Sequence, residues 1–304
     1  MRVKMRVNLG GLGRKNPVTT ASGTFASGRE YSDFVKLSAL GALTTKGVSL
    51  HAWEGNATPR IAETPSGMLN SIGLQNPGVK KFLENDIPWL RKQNVPIIVN
   101  VSGHTLNEYL ILLKILEEEK SIDAYELNIS CPNVDAGGMT FGSDVKSVEE
   151  IVTRARALAT KPLIVKLTPN VGDIAEIARA AESSGADALS LINTVLGMAI
   201  DARTKKPLLA RVVGGLSGPA VKPIALRMVY ETYQAVSIPL LGMGGIMNGE
   251  DAVEFMLAGA TAVAVGTANF VNPRATIEVI EGIQNYCEIY GVKDVNELIG
   301  GLQC

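Results

Sequence analysis

Eight short β-rich runs alternate with helical patterns along this chain, and that alternation constrains its fold more than any other feature. Such alternation is typical of β-α-β units built around a parallel sheet. Eight units predict an α/β fold, the (β/α)8 TIM barrel, which needs about 250 residues. The candidate strands are Val18–Ala21, Leu43–Lys46, Ile97–Val101, Ala124–Asn128, Leu163–Leu167, Ala188–Ile192, Pro239–Met243 and Ala262–Val265.

The chain has 304 residues, and two long segments account for most of the length that a barrel does not need. They run from Gly47 to Pro96 and from Asn193 to Gly218, and they predict insertions at the C-terminal face of the strands. No linker or low-complexity stretch is visible, so we predict a single domain over residues 1–304. We expect the opening residues, Arg2 to Leu9, to form a small hairpin at the bottom of the barrel.

Local signals mark several helix boundaries. A capping residue followed three positions later by glutamate predicts helix starts at Thr105-x-x-Glu108, Ser147-x-x-Glu150 and Asp173-x-x-Glu176. A Gly-Ala pair joins helix to strand at Gly41, Gly185 and Gly259. Glycine at such a junction predicts a left-handed C-cap that turns the chain back toward the barrel.

Composition excludes several classes of function. The net charge of −1 and the interspersed signs give no footprint for nucleic acid or for an anionic membrane surface. The opening residues lack the apolar core of a signal peptide, and no apolar run approaches membrane-spanning length. We therefore expect a cytoplasmic protein without nucleic-acid or membrane partners.

Cysteine and histidine are too scarce for most inorganic cofactors. The three cysteines, Cys131, Cys287 and Cys304, form no C-x-x-C pair, which excludes a disulfide framework and an iron–sulfur cluster held by this chain alone. His51 and His104 are the two histidines, which makes a histidine-based metal site improbable. Redox chemistry here requires a bound organic cofactor, and we predict no metal.

Polar residues or glycines follow every predicted strand. They are Ser22-Gly23, Lys46, Asn100, Asn128, Lys166, Asn193-Thr194, Gly244-Gly245 and Gly266-Thr267. The C-terminal ends of barrel strands carry the chemistry of this fold, and burying amides or lysines without partners is costly. A single asparagine at a strand end is common in turns, but eight polar ends indicate a functional site.

The glycines suggest a phosphate site. Gly244-Gly245 and Gly266-Thr267 follow the seventh and eighth strands, where barrels often bind phosphate through backbone N–H groups and a helix N-terminus. The run from Gly214 to Gly218 adds a further glycine-rich approach. The alternative is that these glycines only permit tight turns, and the barrel context favours phosphate.

Asn70, Asn128, Asn133 and Asn193 offer donors and acceptors without net charge, which suits a planar ring with imide groups, and Lys46 is near for a carboxylate. We expect the ammonium group of Lys166 to point into the barrel mouth, and Lys46 to bridge cofactor and substrate. The loop from Asn70 to Asn76 offers amides for a heterocycle, although it also reads as an ordinary turn cluster. Cys131 is either a buried structural thiol or a reactive one, and Pro132 places it at the edge of a strand.

Six runs of the chain resemble the dihydroorotate dehydrogenase family, in register from about Val7 to Phe270. They are Ala21–Thr24, Asn70–Asn76, Asn128–Asn133, Ile192–Thr194, Gly214–Pro219 and Gly242–Gly245. The resemblance implies a barrel with one bound FMN that oxidises (S)-dihydroorotate to orotate in the de novo synthesis of pyrimidine nucleotides.

The subclass is suggested by further runs that resemble the NAD-linked members of the family, Gly67–Asn70, Gly73–Gly78, Gly137–Gly142 and Ala264–Phe270. The membrane-attached class, with its serine base and N-terminal extension, is less similar. The NAD-linked class implies a partner subunit with FAD and a 2Fe-2S cluster, in a heterotetramer of two catalytic and two partner chains. The fumarate-using class 1A remains the alternative.

The resemblance also assigns roles to individual residues. Cys131 would be the base that removes the C5 proton while hydride passes from C6 to FMN. The segment from Pro132 to Gly142 would close over the substrate. The implied FMN contacts are Ser22, Lys46, Gly47, Asn100, Asn128, Lys166, Ile192, Gly218, Gly244, Gly245, Gly266 and Thr267. The implied substrate contacts are Lys46, Asn70, Ser71, Ile72, Gly73, Leu74, Asn128, Asn133, Asn193 and Thr194.

Three other readings remain. A related FMN barrel could act on uracil or thymine with a nicotinamide, a phosphate-binding barrel could be an aldolase or isomerase, and a scaffold could lack catalysis. Flavin content separates the last two from the flavin enzymes, and substrate choice separates the flavin enzymes from each other.

Overall fold

A computed structural model describes residues 3–130 and 141–303 of the chain. It confirms the predicted barrel: eight parallel strands form one sheet, and each lies within a segment predicted from the sequence. The strands are Val18–Thr20, Leu43–Thr44, Ile97–Val101, Ala124–Asn128, Leu163–Lys166, Ala188–Leu191, Leu240–Met243 and Ala262–Val265. We call them the first to the eighth strand. Nothing in this arrangement tests the prediction of a single domain.

Backbone hydrogen bonds join all neighbouring strands of the barrel except one pair. Neighbours in sequence are neighbours in the sheet from the second strand to the eighth, and the eighth pairs with the first. Side chains join the first and second strands instead: Thr44 donates its amide to Thr20 Oγ1 at 3.1 Å, and Thr19 Oγ1 donates to the Ala42 carbonyl at 2.9 Å. Threonine hydroxyls therefore bridge the remaining gap.

Helices surround the sheet, and none among the described residues is long and apolar enough to cross a membrane. The α-helices are Gly78–Lys81, Ile87–Leu90, Leu106–Glu117, Val145–Arg156, Ile174–Ser183, Lys222–Ala235, Gly249–Leu257, Ala268–Val271 and Ala275–Tyr290. Buried residues of the longer helices pack on the apolar outer face of the strands in one continuous core.

Two of the three predicted helix starts are confirmed. Thr105 and Asp173 accept hydrogen bonds from backbone amides in the first turns of their helices. The prediction for Ser147 was wrong, because the helix begins earlier and Asp144 is its cap, accepting from the Ser147 amide at 3.1 Å. Asp144 lies outside the serine-to-glutamate pattern, so the motif located the helix but displaced its start by three residues.

Glycine occurs at the three Gly-Ala junctions for two different reasons. Gly185 and Gly259 have φ angles of +103° and +117°, which favour glycine, as predicted. Gly41 has no positive φ, so its predicted left-handed C-cap was wrong. A Cβ at Gly41 would lie 2.2 Å from the Asn16 carbonyl oxygen. Glycine is required there by the close approach of the chain before the first strand.

The two insertions meet in a second sheet. Strands Ile61–Thr64 and Gly67–Asn70 from the first insertion pair with Val195–Met198 and Val213–Ser217 from the second. The result is an antiparallel sheet of four strands, joined where Gly215 pairs with Asn70. This sheet stands at the C-terminal end of the barrel and forms one wall of the cavity described below.

A hairpin closes the other end, later in sequence than predicted. Strands Val7–Leu9 and Leu12–Arg14 are antiparallel, whereas the prediction placed the hairpin between Arg2 and Leu9. The turn at Gly10 has a φ of +57°, and a Cβ there would lie 2.4 Å from the Asp187 carbonyl oxygen. Asp187 precedes the sixth strand, so the hairpin packs at the N-terminal end of the barrel.

Burial of Arg14, the last residue of this hairpin, costs free energy of folding. It is 1% exposed, and none of its guanidinium nitrogens has a hydrogen-bond partner among the described residues. Burial lowers the pKa of Arg14 to about 9. Because arginine keeps its proton in proteins, this shift marks the free energy spent on removing the charge from water.

We expect Arg14→Met to raise the free energy of unfolding by about 1 to 4 kcal/mol, because an apolar side chain fills the space without a buried charge. Urea denaturation of the two proteins measures the difference. Arg6→Met is the control, since Arg6 is exposed in the same N-terminal segment and its loss should change stability by less than about 0.5 kcal/mol. A loss of stability in Arg14→Met would show that the guanidinium has partners, such as ordered water.

Candidate functional site

One large cavity of about 910 Å³ opens at the C-terminal ends of the barrel strands. Its volume lies at the upper end of the range for ligand sites, so it has room for a cofactor and a substrate together. Most of the site residues predicted from the sequence line it, and they come from seven of the eight strand ends and from both insertions. They are Ser22, Lys46, Asn70, Ser71, Ile72, Gly73, Leu74, Asn128, Lys166, Ile192, Asn193, Thr194, Gly218, Gly244, Gly245, Gly266 and Thr267.

Two predicted residues stand beside the cavity instead of lining it. Asn100 is fully buried in the third strand, where its Nδ2 donates to Glu126 Oε1 at 2.6 Å. Gly47 lies next to it, and a Cβ there would be 3.1 Å from Asn100 Oδ1 and 3.0 Å from Ser102 Oγ. Asn100 is thus positioned to orient the groups that do face the cavity.

Lys46 provides a positive charge without a partner. Its backbone follows the second strand, and its ammonium group makes no hydrogen bond or ion pair with any residue in the described ranges. Burial, then Lys166, then Arg60 lower the pKa of Lys46. A half-buried cation near other cations is stabilised by a bound anion, which makes Lys46 the natural contact for a carboxylate.

Lys166, by contrast, is paired. Its side chain is 6% exposed, and Nζ lies 3.7 Å from Oε1 of the buried Glu126 and donates to Ser22 Oγ at 3.2 Å. The Glu126 carboxylate belongs to the fourth strand and the Lys166 ammonium group to the fifth. The predicted inward direction of Lys166 agrees with this geometry, because the side chain joins Ser22 across the barrel mouth.

The loop after Asn70 is held in a strained shape. Gly73 and Leu74 have φ angles of +74° and +53°, and a left-handed leucine is sparsely populated. Asn76 fixes the loop from behind: its Nδ2 donates to the Leu74 carbonyl at 2.8 Å and its Oδ1 accepts from the Ser49 hydroxyl at 2.9 Å. Asn76 therefore supports the loop, whereas the residues from Asn70 to Gln75 line the cavity.

Other amides are oriented by short local bonds. Asn128 Oδ1 accepts from the Ser130 amide at 3.2 Å, and its Nδ2 donates to Ser102 Oγ at 3.4 Å. Asn193 Oδ1 accepts from the Thr194 amide at 2.9 Å. These uncharged groups surround the lysines, so the cavity combines hydrogen-bonding capacity with little negative charge.

Glycines form another edge of the cavity, but they serve different purposes. Gly244 and Gly245 have φ angles of +128° and +83°, and a Cβ on Gly245 would lie 2.9 Å from the Gly218 carbonyl oxygen. Both glycines line the cavity. The predicted phosphate approach at Gly214–Gly218 is only partly consistent with the structure, because Gly215 is part of a strand and its Cβ would lie 2.0 Å from Thr194 Oγ1.

Two predicted site residues, Cys131 and Asn133, lie outside the described residues, as does most of the segment from Pro132 to Gly142. Unpartnered polar atoms nonetheless line the cavity. Ser71 Oγ, Ser130 Oγ and His104 Nδ1 are buried with no hydrogen-bond partner among the described residues. His104 also stacks on Trp53, with ring centroids 3.9 Å apart.

Several cavity residues were missed in the sequence. Arg60, Arg211 and Ser217 lie in the insertions, where no periodic signal located them, and Phe270 follows the eighth strand. Glu126, which is buried beside the cavity, had a readable signal, since a glutamate inside a fully buried strand needs a charged partner. The sequence contains that partner, Lys166, but it does not show that the two side chains lie close together.

Fold and site together define a (β/α)8-barrel protein with a basic, amide-lined and glycine-edged pocket at its strand ends. The family model for dihydroorotate dehydrogenase matches residues 4–286. Relatives named "Dihydroorotate dehydrogenase B (NAD(+)), catalytic subunit" are 61% identical in Alkaliphilus metalliredigens and 57% identical in Bacteroides thetaiotaomicron, over at least 98% of each chain. The chain belongs to the dihydroorotate dehydrogenase family.

Proposed function

We propose that this chain is an oxidoreductase that oxidises dihydroorotate to orotate in pyrimidine biosynthesis, with FMN as its bound cofactor. The observation that carries the proposal is the unpartnered ammonium of Lys46 in a cavity lined by neutral amides. Orotate is a planar ring with two imide-type carbonyls and one carboxylate, which matches this set of donors. The full-length similarity to NAD-linked dihydroorotate dehydrogenases supports the same substrate.

The residues present fit FMN. Gly218, Gly244 and Gly245 line the cavity, where their backbone N–H groups would be available to phosphate oxygens. Lys166 and Ser22 would hold the ring system, and Thr267, whose Oγ1 donates to Ser217 Oγ at 2.8 Å, would stand near the phosphate. When bound, FMN supplies an acceptor for the hydride from C6 of the substrate.

Residues of this chain would bind the substrate and remove its proton. Lys46 would bind the carboxylate of dihydroorotate, and the loop from Asn70 to Leu74 would orient the ring together with Asn128 and Asn193. Cys131, as thiolate, would take the proton from C5, alpha to a carbonyl. Proton abstraction by a positioned base contributes about 10²- to 10⁴-fold to a rate.

A separate subunit would receive the electrons. The relatives are called catalytic subunits and NAD(+)-linked, which implies a partner chain in those proteins. We propose that the partner here carries FAD and a 2Fe-2S cluster and joins this chain as a heterotetramer of two plus two. This chain has three cysteines, too few for the four thiolates of such a cluster.

An anaerobic absorbance spectrum of the purified chain tests the function. We expect a yellow protein whose flavin band bleaches when dihydroorotate is added. A yellow protein that bleaches with reduced nicotinamide and reoxidises with uracil would instead be a pyrimidine reductase. A colourless protein that stays unresponsive after FMN is supplied would contradict the redox proposal.

A further inference from the structure

Glu126 is the one charged residue of the fourth strand, and its surroundings give it a definite partner. Its side chain is 1% exposed, and the groups that approach it are Asn100 Nδ2 at 2.6 Å and Lys166 Nζ at 3.7 Å. A carboxylate in that position is expensive to bury unless it is paired. Packing alone does not require a charge there, since an isosteric amide fills the same volume.

The positive charges near Glu126 outnumber its single negative charge. Lys166 from the fifth strand is paired with Glu126, whereas Lys46 beyond the second strand is not, and Arg60 from the insertion acts on Lys46. Lys166 in turn lowers the pKa of Lys46. Among the described residues, Glu126 is therefore the only carboxylate in contact with this set of cations.

We propose that Glu126 is a positioning residue that holds the ammonium group of Lys166 against Ser22, and so sets the charge facing the bound cofactor. The inference rests on the proposed function for its consequence, although not for its geometry. Asn100 completes the arrangement by holding the carboxylate through Nδ2, while its Oδ1 accepts from Ser102 Oγ at 3.3 Å. Glu126 acts through Lys166 and touches neither substrate nor cofactor.

The first test needs no cofactor. Glu126→Gln removes the charge and keeps the shape, and NMR spectra of isotopically labelled lysines in the cofactor-free chain follow the Lys166 ammonium group. We expect its signal to move and its protons to exchange faster with water, because the ion pair that holds the group is lost. Glu30→Gln, at an exposed carboxylate lining the same cavity, is the control and should leave Lys166 unchanged. An unchanged Lys166 in Glu126→Gln would overturn the proposal.

The second test uses the FMN-loaded protein. Loss of one negative charge beneath the lysines should shift the midpoint potential of bound FMN to a more positive value, because the reduced flavin is better stabilised. A merely structural glutamate would change stability and leave this potential and the Lys166 NMR signal in place. If the wild-type chain binds no FMN, the proposed function fails while the NMR spectra still decide the role of Glu126.

A variant that does not fold is also informative. If Glu126→Gln alone fails to fold, the double variant Glu126→Gln/Lys166→Met buries no unpaired charge and is expected to fold. Failure of the double variant as well would show that folding needs the carboxylate even without the Lys166 charge, which contradicts the pairing role. Folding of the double variant would confirm that the two charges depend on each other.

Discussion

Replacing Cys131 with alanine is expected to slow the reduction of bound FMN by dihydroorotate by about 10²- to 10⁴-fold, because the base that takes the C5 proton is lost. FMN itself should stay bound, since the glycine edge and Lys166 are untouched. An ordinary thiol titrates near ~8.5, so the wild-type rate should climb with pH until Cys131 is ionised. Stopped-flow absorbance under anaerobic conditions measures the rate.

Cys287→Ala provides the matched control for this experiment. Cys287 is fully buried in the helix Ala275–Tyr290, and burial raises the pKa of its thiol. Its removal should leave flavin reduction at the wild-type rate. Near-normal reduction in Cys131→Ala would contradict the assignment of the base, even if the chain proved to oxidise dihydroorotate.

Lys46→Met is expected to weaken orotate binding by about 10- to 100-fold, the loss of one charged hydrogen bond worth about 1.5 to 3 kcal/mol. The reason is that Lys46 is a half-buried cation at the cavity that the described residues leave without a partner. The pKa of Lys46 is lowered, so it loses its proton at a lower pH than an ordinary lysine. Orotate affinity in the wild type should therefore begin to fall at a lower pH than it would with a lysine of ordinary pKa.

Orotate titration of the flavin spectrum gives both dissociation constants. Lys114→Met is the control, because Lys114 lies exposed on the helix Leu106–Glu117, away from the cavity. It should bind orotate as the wild type does. Equal affinity in Lys46→Met would show that another group holds the carboxylate, and Arg60, which acts on Lys46, would be the next residue to test.

The sequence located the site because the barrel places all eight strand ends on one face. Once the alternation of strands and helices predicts parallel strands, residues such as Lys46, Asn128 and Lys166 must lie at the same edge. No knowledge of their distances is needed for that step. The family resemblance then gave roles to residues that the geometry alone groups together.

Local motifs were less dependable than the overall pattern. The motif at Ser147 missed the true cap, Asp144, because several polar residues near a helix start can accept the same amides. The hairpin was placed too early because its local signal, the Gly10-Gly11 pair between the two strands, was overlooked. The glycines at Gly214 and Gly215 suggested a phosphate loop, but they allow strands from two insertions to pack closely.

The sequence by itself determined the eight strands, the end of the barrel where the cavity lies and many of the residues that line it, because these follow from periodicity and parallel strand geometry. Only the tertiary structure decided that Glu126 pairs with Lys166, that Lys46 stands alone, and that Arg14 is buried without a partner. Those facts depend on distances between side chains far apart in sequence. Such distances are set by how the strands and insertions pack, and no local pattern encodes them.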